Sequence, residues 1–126
     1  MKYEKNAEQS EWRQEKSDIM KFAMDEWEKD SGFGRATLIV NAVKDRMGGH
    51  RMDDKQKRRF EEFKKDFYIM RTYKDNQNVQ RFYHASSNDE KLLHMEKMTE
   101  SELKDLWDNG LISKELRKKF KKKNTD

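Results

Sequence analysis

Residues 67–84 read FYIMRTYKDNQNVQRFYH, two aromatic-rich flanks that each carry an arginine, separated by a polar run. Two folds compete for this stretch. As strands, YIMRTY and NVQRFYH are rich in β-formers and lie a hairpin loop apart. As helices, Phe67, Met70 and Tyr73 extend a stripe that begins upstream, and Val79, Phe82 and Tyr83 open a new one after a turn at residues 75–78. Strict alternation fails in the strand pattern, because adjacent Phe82 and Tyr83 would point to opposite faces. Helices are therefore the preferred expectation, and one β-hairpin near residues 68–84 is the alternative.

Working outward, the same stripe reaches back through Phe63 and Phe60 in steps of three and four, and Asp53 or Asp54 stands where its helix would be capped. Lys57, Arg58, Arg59, Lys64 and Lys65 fall between the aromatics and give this helix a mixed, mainly basic outer side. Helical spacing also links Trp12, Ile19, Met20, Ala23 and Trp27 over residues 10–30, and Leu38, Ile39, Ala42, Val43 and Met47 over residues 35–47. The run TLIV within the second group is β-branched, but its periodicity continues past it in helical phase.

Downstream, SNDE at 87–90 and TESE at 99–102 match the capping box. They predict two short helices, one with Leu92, Leu93 and Met95 and the other with Leu103, Leu106 and Trp107. Asn109-Gly110 closes the second, Ser113 caps a last helix, and Leu116 and Phe120 give that helix a narrow apolar stripe. No proline interrupts any of these segments, and the glycines at 32, 34, 48, 49 and 110 fall between them.

The expectation is a mainly α protein: a small bundle of four to six short amphipathic helices around Trp27, Leu38, Ile39, Val43, Phe60, Phe63, Phe67, Leu92, Leu103 and Leu106. Residues 1–112 are expected to form a single small helical domain, and 113–126 a basic C-terminal helix with a frayed tail. The stretch SELKDLWDNGLISKELRKKF at 101–120 resembles the helix, glycine turn and helix of short C-terminal (SHOCT) domains, through Leu103, Leu106, Gly110, Ile112 and Ser113. It departs from that pattern after Ser113, where the family's acidic and aromatic pair has Glu115-Leu116 as its nearest counterpart one residue out of register. The resemblance covers about 20 of 126 residues and implies a local helical hairpin without a function.

Composition limits what such a bundle can be. Only 33% of the 126 residues are hydrophobic and 43% are charged, so the buried part must be thin and its outer faces densely ionic. The absence of cysteine excludes disulfides, thiolate zinc sites and a cysteine nucleophile. MKYEKNAEQSEW has no apolar run after its lysines, and the apolar run at residues 38–40, like every other in the chain, is far too short to span a bilayer. A soluble cytoplasmic protein with no membrane association is expected. The small, lysine- and glutamate-rich, cysteine-free chain also resembles accessory proteins of bacteriophages.

No catalytic pattern stands out. His50, His84 and His94 have none of the familiar metal-ligand spacings, so no metal site and no cofactor are expected. Gly48-Gly49-His50-Arg51 would serve as a small anion nest, but a helix end and a turn explain the same residues. Asp53-Asp54 reads as a helix start, and Asp89-Glu90-Lys91, which has the residue types of metal-dependent nucleases, sits where a capping box begins a helix.

Charge is more informative. The net value is +4, yet residues 51–74 carry 9 basic and 5 acidic side chains and 113–126 carry 7 and 2, while 1–31 carry 6 and 9 and 75–112 carry 4 and 8. Two basic segments alternate with two acidic ones, which suits a polyanion partner or pairing between segments. The leading expectation is a non-enzymatic, nucleic-acid-associated accessory protein that grips the phosphate backbone of DNA or RNA. Its candidate contacts are Arg58, Arg59, Lys64, Lys65, Arg71, Lys74, Arg81, Arg117, Lys118, Lys119, Lys121, Lys122 and Lys123. The rival is a protein-binding adaptor or inhibitor, of the phage type that acts on a host protein, docking through acidic and apolar helix surfaces. A homo-oligomer is the third possibility.

Overall fold

In a computed structural model of the chain, residues 2–124 are described by their backbone and residues 11–123 by their side chains as well. Among the described residues the chain forms seven α-helices, one 3-10 turn and no strand. In order they are α1 (Lys2–Lys29), α2 (Arg35–Arg46), the 3-10 turn at Gly49–Arg51, α3 (Asp54–Thr72), α4 (Gln77–His84), α5 (Asn88–Met95), α6 (Glu100–Asp108) and α7 (Lys114–Asn124). The mainly helical class holds, and α1 starts well before the residue 10 that spacing suggested.

The hairpin does not form. α3 runs on to Thr72, and α4 starts four residues after Tyr73. Asn76 decides this, because its side chain accepts from the Val79 N–H at 3.1 Å and caps α4. Gln80 then reaches back from α4 and donates to the Tyr73 carbonyl at 2.9 Å and the Met70 carbonyl at 3.3 Å, satisfying the frayed end of α3. The β-formers YIMRTY and NVQRFYH are overridden by caps that a strand would leave unused.

The chain divides into two compact units, one up to Phe67 and the other from Tyr68 onward. In the first, α1 packs on α2, and Ile19, Met20, Ala23, Ile39, Val43, Met47, Phe60, Phe63 and Phe67 are buried. Phe63 and Phe67 stack at 5.6 Å, and Trp27 meets Phe67 edge-on at 6.5 Å. Asp53 accepts from the Gln56 N–H at 2.8 Å and is the residue that caps α3. Leu38, expected in the core, is 60% exposed. The buried stripe of α2 is Ile39, Val43 and Met47 at strict i, i+4 spacing, which turns Leu38 outward.

In the second unit the buried set is Ile69, Met70, Val79, Phe82, Leu92, Met95, Met98, Leu106, Ile112 and Leu116. α4 packs on α5, and α5 on α7. Thr99 forms the complete capping box with Glu102. At Ser87 only half of the expected box is present, since the Glu90 carboxylate accepts from the Ser86 N–H and hydroxyl instead. α7 stays helical through Asn124; the remainder of the expected frayed tail, residues 125 and 126, lies outside the described residues.

Candidate nucleic-acid interface

The thirteen candidate cations fall on three different kinds of surface. In the first unit, Arg58, Arg59, Lys64 and Lys65 lie on α3 among Glu61 and Glu62. Lys64 pairs with Glu61 at 2.8 Å and lies 5.2 Å from the centroid of the Phe60 ring. Arg59 is half-buried, 5.0 Å over the indole of Trp12. The same indole donates to Glu62 at 2.6 Å, and Glu62 also pairs with Lys16 at 3.3 Å. Arg58 and Lys65 are exposed. This face is a checkerboard, and two of its four candidates are engaged by neighbours, Arg59 with Trp12 of α1 and Lys64 with Glu61 and Phe60 of α3 itself.

In the second unit, Arg71 is half-buried and lies 5.8 Å over Tyr68. Burial lowers its pKa and the nearby Tyr68 partly offsets this, which fits a cation built into the fold rather than one displayed to solvent. Lys74 and Arg81 are exposed, one before α4 and one within it. The turn between them is fastened to α6. Tyr73 donates its hydroxyl to Asp105, and that bond, with burial and the Asp105 and Glu102 charges, pushes the phenol up to about 12. Asn76 donates to Glu102 at 2.5 Å. Burial alone would raise the Glu102 pKa, but hydrogen bonds from Asn76 and from the Thr99 hydroxyl and N–H hold it below the usual range.

α7 is the third kind. Lys114, Arg117, Lys118, Lys121 and Lys122 follow i, i+3, i+4, i+7, i+8, so one face of a single helix is wholly cationic, and all of them are exposed. Among the described residues no carboxylate lies within ion-pair distance of Lys114, Lys118 or Lys121. The remaining cations of the run, Lys119 and Lys123, leave that face and pair with Glu115 at 3.5 Å and Glu96 at 2.8 Å. Leu116, 2% exposed, anchors the opposite side.

The α6–α7 connection places this face. Gly110, at φ 81°, lets its own N–H bond the Trp107 carbonyl at 3.1 Å and the Leu111 N–H bond the Leu106 carbonyl at 2.9 Å, a Schellman ending. The Ser113 hydroxyl then accepts from the Leu116 N–H at 3.1 Å and starts α7. The hairpin brings Arg117 to 4.2 Å over the Trp107 ring. Alongside lies a cavity of about 590 Å³, floored by Met95, Leu103, Trp107, Ile112 and Phe120 and edged by Arg117 and Lys121 on the α7 side.

No family model, curated protein or solved structure matches this chain.

Leu103, expected in the core, is half-buried, and with the half-buried Trp107 it lines this cavity. The available signal was the glycine turn itself, which pairs a ten-residue offset, Trp107 with Arg117, across a tight helical hairpin. Among the described residues no three histidine or carboxylate side chains converge as a metal site would require, and no helix is long and apolar enough to cross a membrane. His50 lies in the exposed 3-10 turn.

Proposed function

We propose that the protein is a non-enzymatic nucleic-acid-associated accessory protein that binds the phosphate backbone through α7. One observation supports this reading above the others: the cationic stripe of Lys114, Arg117, Lys118, Lys121 and Lys122. Lys114 with Lys118, Lys118 with Lys122, and Arg117 with Lys121 are like-charged i, i+4 pairs. Each such pair disfavours the isolated helix by about 0.2–0.5 kcal/mol. The helix dipole offsets part of this for Lys121 and Lys122 in the last turn. A row of phosphates would remove the remainder and release condensed counterions. Within the candidate set, α3 contributes through Arg58 and Lys65 at most, because Arg59 and Lys64 are held by neighbours.

The test is oligonucleotide binding at about 50 mM salt, where phosphate contacts are strong. Truncation after Ile112 is a poor probe, since it removes Leu116 from the core. Charge substitution is cleaner. Lys114→Ala, Lys118→Ala and Lys122→Ala together should lower affinity at least tenfold with the helical content unchanged. Absence of binding by the unaltered protein at that salt removes the proposal. A cellular partner retained after nuclease treatment, with no oligonucleotide binding, transfers the function to a protein-binding adaptor.

A further inference from the structure

We infer that the cavity beside α7 receives an unpaired base, so that the α7 surface selects single-stranded over double-stranded nucleic acid. This rests on the phosphate-binding reading of the same helix. The cavity and the cationic stripe share two residues, Arg117 and Lys121, so a backbone lying along α7 runs at the lip of the cavity. What the lip encloses is aromatic and aliphatic: Trp107 and Phe120, with Leu103 and Met95 behind them. Arg117 over Trp107 at 4.2 Å already holds a guanidinium against an indole, and both groups are surfaces on which bases stack.

The opposite lip is different. On α6 it carries Glu100 and the Lys104–Asp108 pair at 3.6 Å, which offer a phosphate no net attraction. Charge therefore orients the ligand: phosphates on the α7 side, base inward. Paired bases are stacked within a duplex and cannot enter a side cavity without unpairing, so the preference for single strands follows. An acidic amphipathic peptide is the competing occupant. It fits less well, because its charges would have to face α7 while the carboxylates of the α6 lip repel them, and α6 offers only nine residues of wall.

Three fluorescently labelled probes of about ten nucleotides distinguish the possibilities: oligothymidylate, an abasic strand with the same phosphates, and a duplex of equal phosphate number. Oligothymidylate is expected to bind at least about fivefold tighter than the abasic strand, the low end of one base-stacking contribution. It should also quench indole emission. Phe120→Ala should remove that preference while leaving abasic-strand affinity unchanged, and Trp107→Leu, which keeps apolar bulk, should abolish the quenching. Equal binding of base-bearing and abasic strands overturns the cavity assignment but leaves phosphate binding by α7 intact. Binding of none of the three probes removes both. An acidic helical peptide that shifts Trp107 emission while oligothymidylate does not assigns the cavity to a protein and overturns the inference.

Discussion

Individual side chains in this protein carry more of the structure than its charge-dense composition suggests. Asp66 is 2% exposed on α3 and pairs with Lys16 of α1 at 3.0 Å. Removing one member of a buried pair leaves the other desolvated, which is worse than never having buried the pair. Lys16→Ala should therefore destabilise the protein by about 3 kcal/mol in urea denaturation, and Lys16→Arg by much less. Tyr73 gives a second residue-scale test. Its phenol is pushed from 10.0 up to about 12 by the hydrogen bond to Asp105. A raised pKa favours the protonated form in the folded state, so the stabilisation is complete below pH 10 and is lost as pH rises through about 12. Tyr73→Phe should cost about 1 kcal/mol at neutral pH, and the difference from the parent protein should vanish across pH 10–12 in a stability titration.

The elements show which parts of the sequence were legible. Helix starts were, because the capping chemistry is local: Asp53, Thr99 and Ser113 each bond the N–H three residues on, as their spacing implies. The hairpin alternative arose because β-propensity at YIMRTY and NVQRFYH is equally local, and of the contacts that defeat it the Asn76 cap is local while the others are not. Tyr73 to Asp105 and Asn76 to Glu102 join residues 32 and 26 apart, beyond any window of pattern reading, and Gln80 back to Met70 ties one helix to the end of the one before it. The same limit applies to the interface. The α7 stripe is legible at helical period, but the cavity that accompanies it depends on the hairpin angle at Gly110. Nothing lies within 4 Å of a Cβ added there, so Gly110→Ala suffers only the left-handed backbone penalty. That penalty is about 1–2 kcal/mol, and thermal melts should show it. Because this strain falls on the turn that seats Arg117 over Trp107, indole emission should change with it.

For the whole molecule, net charge is the wrong variable. A value of +4 predicts weak, diffuse attraction to any polyanion, and two proteins with that charge differ according to whether cations alternate with acids or share a face. This chain contains both arrangements. Along α3, Arg58 and Lys65 stand among Glu61 and Glu62, and each carboxylate repels the phosphates its neighbour attracts. Along α7, the stripe is uninterrupted by acid because Glu115 lies off it, paired with Lys119. Equal charge removed from the two helices should therefore have unequal effects. Replacing Arg58 and Lys65 by alanine should leave the salt slope of single-strand binding nearly unchanged. Replacing Lys118 and Lys122 should flatten it by about 1.4, two contacts at about 0.7 each. Affinity measured across a salt series for both double variants gives the answer directly. Equal flattening by the two pairs means that binding follows net charge, and the stripe then has no special part in it.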